Sequence, residues 1–248
     1  MNLSRRELLY ASLAASATLA MRPFAWPLIS ELGIRPRRFG RLSLLTGENG
    51  PEVADFGEGA ITACRSLGMA APQVLAFDRT TLREFAQLRQ LVAAMAGTSI
   101  IGLFDDASAL LIGEATRELG GRIRCSGAHA AAGPTGTSCH RLLCAGSNTG
   151  IGIALARSLA TAGAAGVVYE AALAPTPAPD LAEDHDYRLP SLASWPATLG
   201  LLLAHVGAGA WRSGPVVAET HFGSVAANVP AATSFKFVSL VAHIPPEG

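Results

Sequence analysis

The sequence predicts an α/β domain in three layers, with helices on both faces of a mostly parallel sheet. Two observations carry this. From Phe39 onward, short apolar runs alternate with stretches whose apolar residues recur at helical spacing. The chain is also rich in core material: of 248 residues, 50% are hydrophobic and 15% charged, which excludes disorder, collagen and coiled coil.

Leu42 to Leu45 reads as the first strand, and Pro51 suits the first turn of a helix that runs to about Leu67, although Gly57 and Gly59 weaken it. Gln73 to Phe77 is the second strand. After Asp78, Thr81-Leu82-Arg83-Glu84 has the form of a capping box, with Leu82, Phe85, Leu88, Val92 and Met95 at helical spacing. Ser99 to Phe104 is the third strand, and Asp105-Asp106 ends it and caps a helix through Leu111, Ala115 and Leu119. Arg122 to Ser126 and Arg141 to Ala145 are the fourth and fifth strands, followed by a helix from Gly150 to Ala162 and a strand from Gly166 to Tyr169. Ala171 to Pro179 is a Pro/Ala-rich connection, and Asp180 to Tyr187 is acidic and irregular. Leu192 to Val206 reads as a buried helix, and Pro215 to Ala218 and Phe235 to Val241 read as strands that close one edge of the sheet. The pattern is therefore that of a Rossmann-like or flavodoxin-like sheet with an irregular C-terminal third. Residues 39–248 form one domain without fixed-period repeats. The succession up to Glu170, Ser99 to Ala130 above all, also resembles half of a type I periplasmic binding protein.

Nineteen basic residues balance nineteen acidic ones, which leaves no electrostatic footprint for nucleic acid or an anionic membrane. At the N-terminus, Ser4-Arg5-Arg6 followed by Leu8-Leu9, an alanine-rich apolar run from Tyr10 to Met21 and a small-residue site at Ala15-Ser16-Ala17 succeed one another. This resembles a twin-arginine (Tat) export signal, with Leu8 where phenylalanine is commoner. The resemblance implies that residues 1–25 are signal peptide and linker, that the Tat translocon is a partner, and that the mature protein works in the periplasm. The apolar run is too short for a stable membrane span, which needs roughly 20 residues. Cys64, Cys125, Cys139 and Cys144 would then lie in an oxidising compartment, as buried thiols or with one disulfide.

Ala145-Gly146-Ser147-Asn148-Thr149-Gly150-Ile151-Gly152 joins a strand to a helix. It is similar to the T-G-x-x-x-G-I-G turn of short-chain dehydrogenases, with Ala145 in place of threonine. The resemblance implies that Gly146, Ser147, Asn148, Thr149, Gly150 and Gly152 cradle the pyrophosphate of NAD(P) at the helix N-terminus, and that Glu170 accepts the ribose hydroxyl. The Tyr-x3-Lys pair of that family is absent, because Lys236 is the only lysine and Ala232 stands four residues before it. Read without the family, the segment is a glycine-rich turn in an alanine-rich protein.

In open parallel sheets, ligands bind beyond the carboxyl ends of the strands. Glu48, Asn49, Asp78, Asp105, Asp106 and His129 are expected there, able to hold a hard cation or hydrogen-bond a polar ligand; the acidic ones equally suit helix caps. Cys125, His129, Cys139, His140 and Cys144 fall within one short stretch, but their spacing is not that of a zinc ribbon or finger, so no metal site is assigned. His185 lies in an acidic segment and His205 on an apolar helix, where a solvated residue and a core residue are the plainer readings. The expected function is an exported module that binds a small polar ligand or a partner enzyme at the carboxyl edge of its sheet. The alternatives are an oxidoreductase-like enzyme with a pre-loaded dinucleotide on Gly146–Gly152, or a metal-bearing redox protein using Cys125, His129 and Cys139.

Overall fold

A computed structural model describes residues 40–47, 50–132, 137–145, 148–172, 192, 194–223 and 235–246. Among them the order is β1 (Leu42–Thr46), α1 (Pro51–Ser66), β2 (Gln73–Ala76), α2 (Arg79–Arg83), α3 (Phe85–Ala93), β3 (Ser99–Phe104), α4 (Asp106–Glu118), β4 (Arg122–Ala132), β5 (Thr137–Cys144), α5 (Ile151–Thr161), β6 (Ala165–Ala172), α6 (Trp195–Gly207), β7 (Glu219–Phe222) and β8 (Phe237–His243). The leader 1–25, residues 173–179 of the Pro/Ala-rich connection and the acidic segment 180–187 lie outside the described residues.

The α/β class holds, and the strands make one mixed eight-stranded sheet in the order β2-β1-β3-β8-β4-β5-β6-β7. Pairing is parallel at β1–β2, β1–β3 and β5–β6, and antiparallel at β3–β8, β8–β4, β4–β5 and β6–β7. It follows that β1 to β4 and β7 run one way and β5, β6 and β8 the other. The carboxyl ends of β1 to β4 share one rim, while the turn after β5 lies on the opposite rim.

Four local expectations change. First, β4 and β5 are longer than their apolar runs and form an antiparallel hairpin in which His129 pairs with His140. Small residues such as Gly127, Ala128 and Ala130 have low strand propensity, so the ladder and not the side chains holds this stretch extended. Second, β8 is central, not at an edge. Its Leu240 and Ala242 pack into one core cluster and Val241 into the other, as an apolar run buried on both faces should. Third, Pro215–Ala218 is not a strand; Val216 and Val217 are exposed, and the edge strand is β7, paired with β6. The helix expected after Asp78 is broken at Glu84, and its cap is Asp78, which accepts from Thr81 N at 2.8 Å, in place of the Thr81–Glu84 box.

Strand residues alternate between two cores. Leu44, Ile101, Leu103, Cys125 and Val241 face α1, α5 and α6, whereas Leu45, Ile100, Phe104 and Leu240 face α3 and α4. α6 is buried almost all round because α1 lies flush against it, and glycine permits that approach from both sides. A Cβ on Gly59 would stand 1.9 Å from the Ala197 carbonyl oxygen, and one on Gly200 would stand 2.0 Å from that of Phe56. Gly57 and Gly59 weaken α1 locally, yet Gly59 is what lets the two helices touch. Gly200→Ala is therefore expected to lower stability by about 2 kcal/mol, by forcing two backbones apart in a packed core; urea unfolding of the variant beside wild type measures it.

Candidate functional site

The Gly146–Gly152 turn stands where a phosphate-binding turn would, between a strand and a helix, but the N–H groups of Gly150, Ile151 and Gly152 are already used. The Glu170 carboxylate on β6 accepts from Gly150 N (2.9 Å), Ile151 N (3.2 Å) and Gly152 N (3.2 Å) at the start of α5. Glu170 is buried; burial pushes its pKa up while the three N–H groups pull it down, and burial wins. The chain covers the turn as well. Trp211 Nε1 donates to Thr149 O at 3.1 Å, Gly214 N donates to the same oxygen at 2.9 Å, and Thr149 Oγ1 donates to Gly214 O at 3.0 Å. Gly150 has φ +85°, and a Cβ there would lie 2.6 Å from Gly214 Cα; a Cβ on Gly152 would lie 3.0 Å from Glu170 Cβ. Asn148 is buried in the same turn, and Gly146 and Ser147 lie outside the described residues. Gly150 and Gly152 thus serve close packing, and Glu170 acts as an internal carboxylate cap of α5.

On the opposite rim the expected acids also cap helices. Asp78 caps α2 and bonds Thr80 and Thr81, and these bonds, that to Thr81 N first, hold its pKa down at about 2. Asp105 caps α4 through Ala107 N and Ser108 N, both at 2.9 Å, with Ser108 Oγ at 2.6 Å. Burial raises the Asp105 pKa, but the bonds from Ser108 and Ala107 outweigh it and the net shift is downward. Asp106 follows in the first turn of α4. Glu48 and Asn49 lie outside the described residues.

His129 is not in a strand-end loop as expected, but its row is that of the rim. Both β3 and β4 pair with β8, which sets Phe104 level with Ala128 and places His129 one row further, level with Phe237. There His129 and His140 face each other across the hairpin, Nδ1 to Nδ1 at 3.0 Å, both fully buried. His129 Nε2 meets Ser239 Oγ at 2.7 Å, and His140 Nε2 meets Ser138 Oγ at 2.9 Å. Trp195, the first residue of α6, stacks on His129 at 5.5 Å and tilts against His140 at 5.3 Å, with Phe237 beside it at 5.9 Å. Burial, with His140 adjacent, holds the His129 pKa well below its ordinary value, and burial alone pushes His140 down to about 3. Both imidazoles are therefore neutral. One Nδ1 must donate and the other accept, so the Ser239–His129–His140–Ser138 chain is satisfied by either of two tautomer pairings, each with one serine hydroxyl donating and the other accepting.

The redox-metal trio is not brought together. Cys125 and His129 share a face of β4 but stand about 13 Å apart along the strand, and Cys139 faces the other side of the sheet from His140. Among the described residues no group of three or more His, Cys, Asp or Glu could hold a metal ion. Instead Cys125 pairs with Cys144 and His129 with His140 on one face, two cross-strand pairs in a single ladder. The sequence carries a signal for this: Cys-x3-His in β4 is mirrored by His-x3-Cys in β5, as antiparallel pairing requires. His205 is a core residue, its Nδ1 at 2.8 Å from Leu201 O. Among the described residues no helix is long and apolar enough to cross a membrane. No family model, curated protein or solved structure matches the chain.

Two outcomes follow from these contacts. Glu170→Ala leaves buried N–H groups without an acceptor and is expected to cost about 1–3 kcal/mol in urea unfolding. The histidine pair makes stability depend on pH. Its folded pKa values lie below the unfolded value near 6.5, so between there and about pH 3 the unfolded chain binds more protons. Stability is fully present above roughly pH 6.5 and falls as pH drops below it, by up to about 2.7 kcal/mol per pH unit for two histidines. Imidazole NMR signals of His129 and His140 that titrate near pH 6.5 in the folded chain would refute this.

Proposed function

We propose that the protein is an exported periplasmic module that binds a small polar ligand, or docks a partner enzyme, at the rim where β1 to β4 end. One observation supports the reading above all. The carboxyl ends of four strands and the N-termini of α1, α4 and α6 converge on one rim, with the buried His129–His140 pair under Trp195 in the same row. Strand ends and helix N-termini together offer hydrogen-bond donors and a positive field to a polar or anionic group. The flank order β2-β1-β3 is that of a flavodoxin-like sheet, which uses this same edge for ligands. Export rests on the Ser4–Leu9 pattern and the apolar run behind it. The dinucleotide alternative is disfavoured because Glu170, Trp211 and Gly214 occupy the α5 turn.

The test is native mass spectrometry of protein purified from the periplasm, followed by amide hydrogen exchange on the as-isolated and the denatured-and-refolded forms. The expected result is a small polar adduct whose removal deprotects residues 104–108 and 194–198. An adduct with nucleotide mass whose removal deprotects residues 150–152 and leaves the rim unchanged would overturn the reading.

A further inference from the structure

We propose that Cys125 and Cys144 are a disulfide site that staples β4 to β5, closed by thiol–disulfide exchange with a small-molecule or protein disulfide. The ladder puts them at the right kind of position. Ala145 N donates to Arg124 O at 2.7 Å, which makes Arg124 and Ala145 a hydrogen-bonded pair of opposite residues. The next pair inward, Cys125 with Cys144, is then a non-hydrogen-bonded one, where Cα atoms stand about 4.5 Å apart and side chains approach most closely. That separation lies within the span a disulfide accepts. The two Sγ atoms are 2.8 Å apart and both residues are buried, so closure needs less than about 1 Å of movement. The other cysteines are placed elsewhere. Cys139 pairs with Ala130 and, an odd number of residues from Cys144, points to the opposite face of β5, while Cys64 lies on α1. This inference is independent of any ligand at the rim.

In the exchange, one cysteine loses its proton and its thiolate attacks a donor sulfur, expelling the other donor sulfur as a thiol and leaving a mixed disulfide. The second cysteine, deprotonated in turn, attacks the mixed disulfide, forms the Cys125–Cys144 bond and expels the remaining donor sulfur. Two protons leave the pair, and its two electrons end in the two donor thiols. In the closed sheet this is slow. The hydrogen bond with Cys125, then burial, then the nearby Glu170 charge all raise the Cys144 pKa. The exchange therefore takes place while the hairpin is open.

The test takes the full chain, purified under reductant, through its unfolding transition in urea and back with mixed oxidised and reduced glutathione. Alkylation in denaturant and peptide mapping without reduction follow. The expected product is lighter by the mass of two hydrogens before alkylation, takes label only at Cys64 and Cys139, and yields one cross-linked peptide containing Cys125 and Cys144. Cys139→Ala should yield the same cross-link and Cys144→Ala should lose it. Label on all four cysteines at every urea concentration, or a cross-link through Cys139 or Cys64, would overturn the proposal.

Discussion

Eight consecutive register pairs between β4 and β5, from Cys125 with Cys144 to Ala132 with Thr137, reverse the direction of the chain, and the placement of β6 and α5 follows from that reversal. β6 follows β5 in parallel, so α5 begins on the rim opposite to the one from which α1 and α4 start. β8 then runs back between β3 and β4 and ties the two halves into one sheet. Without this antiparallel seam the strand ends would share a single edge, and the polar residues after β1, β3 and β5 would meet. With it the turn after β5 lies on one rim and the residues after β1 and β3 on the other.

The seam also fixes the protonation of what it buries. Two imidazoles fully removed from water are stable as neutral rings only if their nitrogens are matched donor to acceptor, and the two serines at the ends of the chain supply that match. Trp195 and Phe237 exclude solvent above them, which is why charging either ring is unfavourable. Elsewhere the same accounting holds closely. Among the described residues, Thr116 Oγ1 and His243 Nδ1 are the buried side-chain atoms without a partner, and both belong to the rim opposite the histidines.

Helix N-termini illustrate how one local chemistry serves different ends. Free N–H groups at the start of α5 would accept a phosphate or a carboxylate equally well. Here a carboxylate from the neighbouring strand fills the position, and Gly150 is glycine because its φ is positive and the 211–214 segment crosses directly above it. A glycine-rich strand-to-helix turn followed by an acid some twenty residues later thus satisfies a nucleotide-binding pattern while the acid itself acts as the anion.

By itself the sequence determined the elements whose signals are local. The apolar run Ser99–Phe104, the Asp105 cap of α4, the helix after Gly150 and the buried helix ending near Val206 all lie where spacing and capping chemistry put them. The cap at Asp105 was legible for the same reason, since a side chain bonding an N–H two or three residues on needs nothing from the rest of the chain. Only the tertiary structure decided strand direction, the central place of β8, and which polar residues meet. Ladder partners are drawn from distant sequence, so His129 finds Ser239 at 2.7 Å although no local pattern links them. The mirrored Cys-x3-His and His-x3-Cys spacing was present in the sequence, but spacing states a pairing only once the two strands are known to run antiparallel.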